Sequence, residues 1–91
     1  MNTFLPNPGE RIVNVEVDSD SVAAHLADGR IISVPLVWFP RLLHATAEQR
    51  ANWSISGGGY GIHWADIDED ISAHGLLRGV PAAVPRRQGA A

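Results

Sequence analysis

The chain has no cysteine among its 91 residues. This absence excludes a disulfide scaffold and thiolate chemistry, because both need the cysteine sulfur. No apolar stretch approaches the roughly 20 residues that cross a bilayer, so we expect no membrane span. The first nine residues lack the basic start and apolar run of a signal peptide. Together these absences predict a cytoplasmic protein.

An excess of basic residues is also lacking, since the net charge is −3. Without a global positive field, we expect no direct contact with nucleic acid. The hydrophobic fraction of 45% is ordinary for a globular protein. We therefore predict a single α+β domain over residues 11–79, with an extended lead-in at 1–10 and a disordered tail at 80–91.

The first half of the domain predicts three strands at 12–17, 22–26 and 30–34. Alternation in the first strand places Val13, Val15 and Val17 on one buried face. Two hairpins compete after the second strand. A two-residue turn would pair Ala24 with Ser33, whereas a three-residue loop with a left-handed Gly29 would pair Ala24 with Ile32. The second register gathers the apolar residues on one face, which favours a three-stranded antiparallel meander.

Short helices follow the meander. Pro40 suits the first position of one helix, and Thr46 with Gln49 forms the pattern of a capping box for a second helix near 47–52. We expect the sheet to be covered by Trp38, Phe39, Leu42 and Trp53. Arg41 and Arg50 are expected as surface charges. A short edge strand is expected at 54–56, and a last helix between Ser72 and Gly79.

Residues 57–72 combine a glycine run, an aromatic strand and an acidic segment. Alternation in the strand places Tyr60, Ile62 and Trp64 on one face. A phosphate-binding loop would continue with Lys and Ser or Thr after the glycines, but Tyr60 follows them. The glycine run therefore predicts a tight turn.

The acidic segment runs from Asp66 to Asp70. A calcium-binding EF-hand would need Gly and Glu at the positions held by Ile71 and Leu77, so that motif fails. The favoured interpretation is a helical turn capped by Asp66 or Asp68, with Ile67 and Ile71 on one side of it. The alternatives are an acidic patch that faces a partner and, more weakly, a metal site that pairs His63 with Asp66.

Several segments resemble domain-of-unknown-function family 2442: DGR at 28–30, SVPLVWFPRLLHAT at 33–46, EQRANW at 48–53, GIHWADIDEDIS at 61–72 and GLLRG at 75–79. The matching positions are Pro35, Trp38, Pro40, Leu42, Trp53, His63, Trp64, Asp68 and Asp70. The resemblance implies a small bacterial domain with an antiparallel sheet beside short helices. It also implies a small protein encoded nearby as partner, in a toxin–antitoxin-like arrangement. Some members carry a helix-turn-helix domain, which nothing after Gly79 can form.

These observations predict a protein-interaction module, in the manner of an antitoxin that neutralises a small toxin. Its predicted contact residues are Tyr60, His63, Trp64, Asp66, Asp68, Glu69 and Asp70. The alternative is a small-molecule or metal-binding domain that uses the stretch from Tyr60 to Asp70. We expect no enzyme activity, no cofactor and no metal, because no nucleophile and base stand at a recognisable spacing. A free edge strand would allow two copies to pair as a homodimer.

Overall fold

The computed structural model describes residues 7–79, which form two three-stranded antiparallel sheets and a few short helices. The first sheet contains β1 (Ile12–Val17), β2 (Ser21–Leu26) and β3 (Ile31–Pro35). The second contains β4 (Ser54–Ser56), β5 (Gly61–Trp64) and β6 (Glu69–Ser72). Helices α1 (Pro40–Leu43) and α2 (Ala47–Ala51) connect the sheets, and α3 (Ala73–Arg78) follows them. Turns of 3-10 helix occupy Pro8–Glu10, Leu36–Trp38 and Gly57–Gly59. The predicted α+β class is confirmed, and the predicted tail lies outside the described residues.

The predicted burial of β1 is wrong at one end. The register shifts between Ile12 and Asn14, because Ile12 faces Leu26 while Asn14 faces His25. This bulge leaves Val13 as an extra residue with 57% of its surface exposed, and Ile12 takes the buried position instead. A strict alternation rule cannot detect such an insertion.

The β2–β3 hairpin confirms the three-residue loop. Ala24 pairs with Ile32 and Val22 pairs with Val34, as the apolar pattern requires. The amide of Leu26 donates to the carbonyl of Arg30 at 2.8 Å. Gly29 has a φ of 95°, which a residue with a side chain rarely adopts.

The predicted helix signals are also confirmed. Pro40 opens α1, and the reciprocal capping box of Thr46 and Gln49 opens α2. The side chain of Ser72 accepts the amide hydrogen of Gly75 at the start of α3. Gly79, with a φ of 75°, closes α3 in the left-handed conformation.

The acidic segment is not the predicted helical turn. Residues 65–68 form the turn of a β-hairpin, and β6 begins at Glu69. Asp68 reverses the chain with a φ of 52°, a conformation that Asp tolerates better than most residues. Ile71 pairs with Ile62 across the sheet, so the alternation of Glu69 and Ile71 with polar neighbours is a strand period.

One hydrophobic core joins both sheets. It is formed by Ile12, Val15, Val22, Ala24, Leu26, Val34, Leu36, Phe39, Leu42, Ile62, Trp64, Ile71, Ala73 and Leu76. Trp38 and Trp53 are partly buried against this core. The aromatic cover predicted from the sequence is therefore in place, with Phe39 buried and the two tryptophans at the margin.

Candidate functional site

The β5–β6 hairpin presents carboxylates on its exposed side. Asp66 and Asp68 lie in the turn, and Asp70 lies on the exposed face of β6. We call Asp66, Asp68 and Asp70 the acidic hairpin. Within residues 7–79, none of the three carboxylates forms an ion pair with an arginine. Among these residues, the one ionic contact of the acidic hairpin is that of Asp70 with His63.

His63 is joined to the acidic hairpin through Asp70. The two residues are direct neighbours across β5 and β6, and the imidazole Nδ1 lies 2.7 Å from Asp70 Oδ1. Ser54 flanks His63 on the other side, on β4. Its hydroxyl donates to the backbone carbonyl of His63 at 3.5 Å, and not to the imidazole. The row of Ser, His and Asp is thus not arranged as a nucleophile with its base.

Two of the predicted contact residues are buried. Trp64 has no exposed surface, and its indole N–H donates to the backbone carbonyl of Arg50 at 3.0 Å. Glu69 has only 9% of its surface exposed. Tyr60 is half-buried and ends the glycine turn instead of standing in the strand. Trp64 therefore has no surface that a partner could contact, and the members of the predicted set with exposed surface are the acidic hairpin and, in part, Tyr60 and His63.

Burial raises the pKa of Glu69 above its ordinary value of 4.5, because desolvation disfavours the charged carboxylate. The positive charge of Arg41 opposes this rise, but its effect on the pKa is smaller than that of burial. The Arg41 guanidinium also donates to the backbone carbonyl of Asp68. Arg41 was predicted only as a surface charge. Its hydrogen bond to Asp68 stabilises the turn between β5 and β6.

Helix α2 brings further polar groups to the acidic hairpin. The side-chain amide of Asn52 donates to Asp66 Oδ2 at 2.9 Å. An open groove of about 520 Å³ lies here, lined by Glu48, Gln49, Ala51, Asn52 and Asp66. Glu48 and Asn52 were not predicted as neighbours of Asp66. No sequence signal marks them, because the contact spans 14 positions and depends on how α2 packs.

His63 contacts Asp70 whereas Asp66 contacts Asn52, and the pairing of His63 with Asp66 at a metal stays a prediction. Among residues 7–79, no three histidine, aspartate or glutamate side chains are grouped closely enough to hold a metal ion. In the same part of the chain, no helix has the length and apolar character that a membrane crossing requires.

Comparison with known proteins gives a family but no activity. The sequence profile of the family described as "Protein of unknown function (DUF2442)" matches residues 12–82. A crystal structure of a protein of unknown function from Rhodospirillum rubrum is similar, with 31% identity and a TM-score of 0.71. The match covers 80% of this chain and 90% of that one.

A second similar structure is the solution NMR structure of an uncharacterized protein from Chromobacterium violaceum. It has 27% identity and a TM-score of 0.69, with 80% of this chain and 69% of that chain covered. No curated protein matches this chain. The extent of the profile match shows that the chain belongs to domain-of-unknown-function family 2442.

Proposed function

We propose that this protein is an interaction module that captures a basic protein through the acidic hairpin. The observation that carries the proposal is the group of three accessible carboxylates with no arginine counter-ion among the described residues. Two of the three carboxylates also have a partner within the chain, because Asn52 donates to Asp66 and His63 contacts Asp70. Neither contact brings the permanent positive charge of an arginine.

The charge of the acidic hairpin would act mainly on the encounter with the partner. Complementary charges steer two proteins together and orient them, and they change association rates more than they change final affinity. A small basic protein encoded nearby, in an antitoxin-like relationship, suits this chemistry. That partner and a cytoplasmic location remain parts of the proposal.

The test is capture of host proteins by the tagged full-length chain at moderate and high salt, with identification by mass spectrometry. We expect one small basic partner at stoichiometric amount, released by high salt. Asp68→Asn plus Asp70→Asn should slow association with that partner by about threefold to tenfold. Asparagine removes the charges while tolerating the left-handed backbone at position 68.

The matched control is Glu16→Gln plus Asp20→Asn, which removes one exposed charge from β1 and one from the turn between β1 and β2. This control should bind the partner as the native chain does. An equal loss in both double variants would mean that net charge, not the acidic hairpin, governs binding. Capture unaffected by Asp68→Asn plus Asp70→Asn would refute the proposed surface.

A further inference from the structure

Strand β4 lies at the edge of the second sheet, where a further strand could pair with it. Its residues Ser54, Ile55 and Ser56 pair with β5 on one side. In an antiparallel strand, the amide and carbonyl groups of alternate residues point to opposite sides, so part of the β4 backbone faces away from β5. Within residues 7–79, no backbone amide or carbonyl of residues 54–56 bonds outside the pairing with β5. β4 therefore offers hydrogen-bonding groups to another strand.

The other sheet edges carry features that oppose such pairing. β1 is interrupted by the bulge at Val13, and a bulge disrupts the ladder of hydrogen bonds at an edge. β3 ends at Pro35, which has no amide hydrogen to donate, and α3 packs against this strand. β6 carries the exposed charge of Asp70. In contrast, β4 has no charged residue, no proline and no shift in its register.

The sequence of β4 reads the same in both directions about Ile55. Two copies paired antiparallel and centred on this residue would place Ile55 beside Ile55 and Ser54 beside Ser56. On the core face of the sheet, Ile55 is the outermost member of a directly paired row with Ile62 and Ile71. Ile62 and Ile71 are buried whereas Ile55 is 37% exposed, so its counterpart would cover apolar surface. The serines would meet on the opposite face, where hydroxyl groups can hydrogen-bond across strands.

Charge also favours pairing at β4. The chain has a net charge of −3, so two copies repel each other where their carboxylates approach. In the second sheet, β5 separates β4 from β6, and β6 carries Asp70. Pairing at β4 therefore joins two copies at the edge of this sheet that lies farther from the Asp70 carboxylate.

We propose that the protein self-associates through β4, with two copies paired antiparallel about Ile55. The second sheets of the two copies then form one continuous sheet in the order β6-β5-β4-β4-β5-β6. This inference does not depend on the proposed function, because the acidic hairpin joins β5 to β6 and β4 lies at the other edge. The dimer carries one acidic hairpin at each end of the joined sheet. Because β4 has only three residues, its interface is small, and we expect the dimer to form only above about 100 μM.

Sedimentation equilibrium of the full-length chain between about 10 μM and about 1 mM measures this association. We expect the mean mass to rise from that of one chain toward that of two chains across the range. The mass of a single chain at every concentration would overturn the proposal.

Two charge variants at position 55 test the register. Ile55→Lys places two like charges opposite each other and should weaken association about tenfold, and Ile55→Glu should do the same. An equimolar mixture of the two variants should associate again, because opposite charges then face each other. Ile31→Lys changes a residue of β3 that is 57% exposed, and this control should associate as the native chain does.

Association that persists in Ile55→Lys would overturn β4 as the interface. A mixture that stays monomeric, although circular dichroism shows both variants folded, would overturn the register about Ile55. If either charge variant does not fold, Ile55→Cys replaces it, because the chain has no other cysteine. Directly opposed residues of paired strands have Cβ atoms about 4.5–5.5 Å apart, so Ile55→Cys should form disulfide-linked dimers faster than Ile31→Cys. Equal rates of cross-linking in the two cysteine variants would also overturn the proposal.

Discussion

At the scale of single residues, the acidic segment contains two kinds of carboxylate. Asp66, Asp68 and Asp70 are exposed, whereas Glu69 points into the protein beside Trp64. Strand alternation separates buried Glu69 from exposed Asp70, and Asp66 and Asp68 are exposed in the turn before them. The three exposed aspartates are accessible from solvent. Burial of the Glu69 carboxylate, in contrast, lowers the stability of the folded state when that carboxylate is charged.

Because Glu69 is buried, we predict that the stability of the folded chain depends on pH. Its pKa is raised, so the folded state binds the proton more tightly than the unfolded chain does. Stability therefore falls as pH rises from the ordinary value of 4.5 through the raised pKa. Glu69→Gln should melt at a higher temperature than the native chain at neutral pH and at nearly the same temperature well below pH 4.5.

Thermal melts across this pH range would measure the effect. Glu48→Gln is the control, because Glu48 is exposed on α2 and should show no such gain. If Glu69→Gln melts at a lower temperature at neutral pH, the attraction between Arg41 and Glu69 outweighs desolvation.

Gly61 shows why a strand residue can lack a side chain without any ligand nearby. A Cβ at this position would lie 2.8 Å from the hydroxyl oxygen of Ser56, closer than such atoms approach. Ser56 pairs directly with Gly61 across β4 and β5. The neighbouring hydroxyl thus occupies the space, and glycine at 61 is explained by packing between paired strands.

At the scale of elements, the short helices depend on contacts outside themselves. Helix α1 has only four residues, and its last carbonyl groups lack partners within the helix. The guanidinium of Arg50 donates to the carbonyls of Leu42 and Leu43 at 2.9 and 2.7 Å. Arg50 is therefore a structural residue that ties α2 to α1, and its expected role as a surface charge is wrong.

The second sheet offers a matched pair for testing how burial differs between its edge strand and its central strand. Ile55 on β4 and Ile62 on β5 are directly paired, but Ile55 is 37% exposed and Ile62 is fully buried. Ile62→Val should reduce the free energy of unfolding by about 0.5–1.5 kcal/mol. Ile55→Val should cost less than about 0.5 kcal/mol.

Chemical denaturation of both variants would measure these costs. The native chain is the reference, and both changes remove the same methylene group. Equal losses would mean that β4 is covered in solution, as pairing of two copies through this edge would require.

At the scale of the whole molecule, the two sheets share one core and should unfold together. Leu36 lies between them in the chain and is fully buried. Leu36→Ala should cost about 2–5 kcal/mol, a large part of the stability of a small domain. Hydrogen exchange should then show faster exchange of amides in both sheets. Faster exchange confined to β1, β2 and β3 would show two independent cores.

The distribution of charge also belongs to this scale. All ten carboxylates but only five of the seven arginines lie within residues 7–79. The described domain is therefore more acidic than the chain as a whole. A net negative domain attracts positively charged groups from a distance, and salt weakens that attraction.

Local chemistry in the sequence determined much of the fold. The caps of α2 and α3, the start of α1 and the loop at Gly29 depend on residues within a few positions of one another, so the sequence predicted them correctly. The register of the first hairpin was likewise predictable, because only one pairing gathers the apolar residues on one face.

Three features depend on tertiary structure alone. They are the bulge at Val13, the start of a strand at Glu69, and the residues that contact the acidic hairpin. Short segments such as 66–72 satisfy both a helical and a strand pattern, and pairing with β5 resolves that choice. The burial of Trp64 and Glu69, and the approach of Arg41 and Asn52, come from packing between distant parts of the chain. The sequence by itself determined the acidic residues, and the folded chain decided which of them remain accessible to a partner.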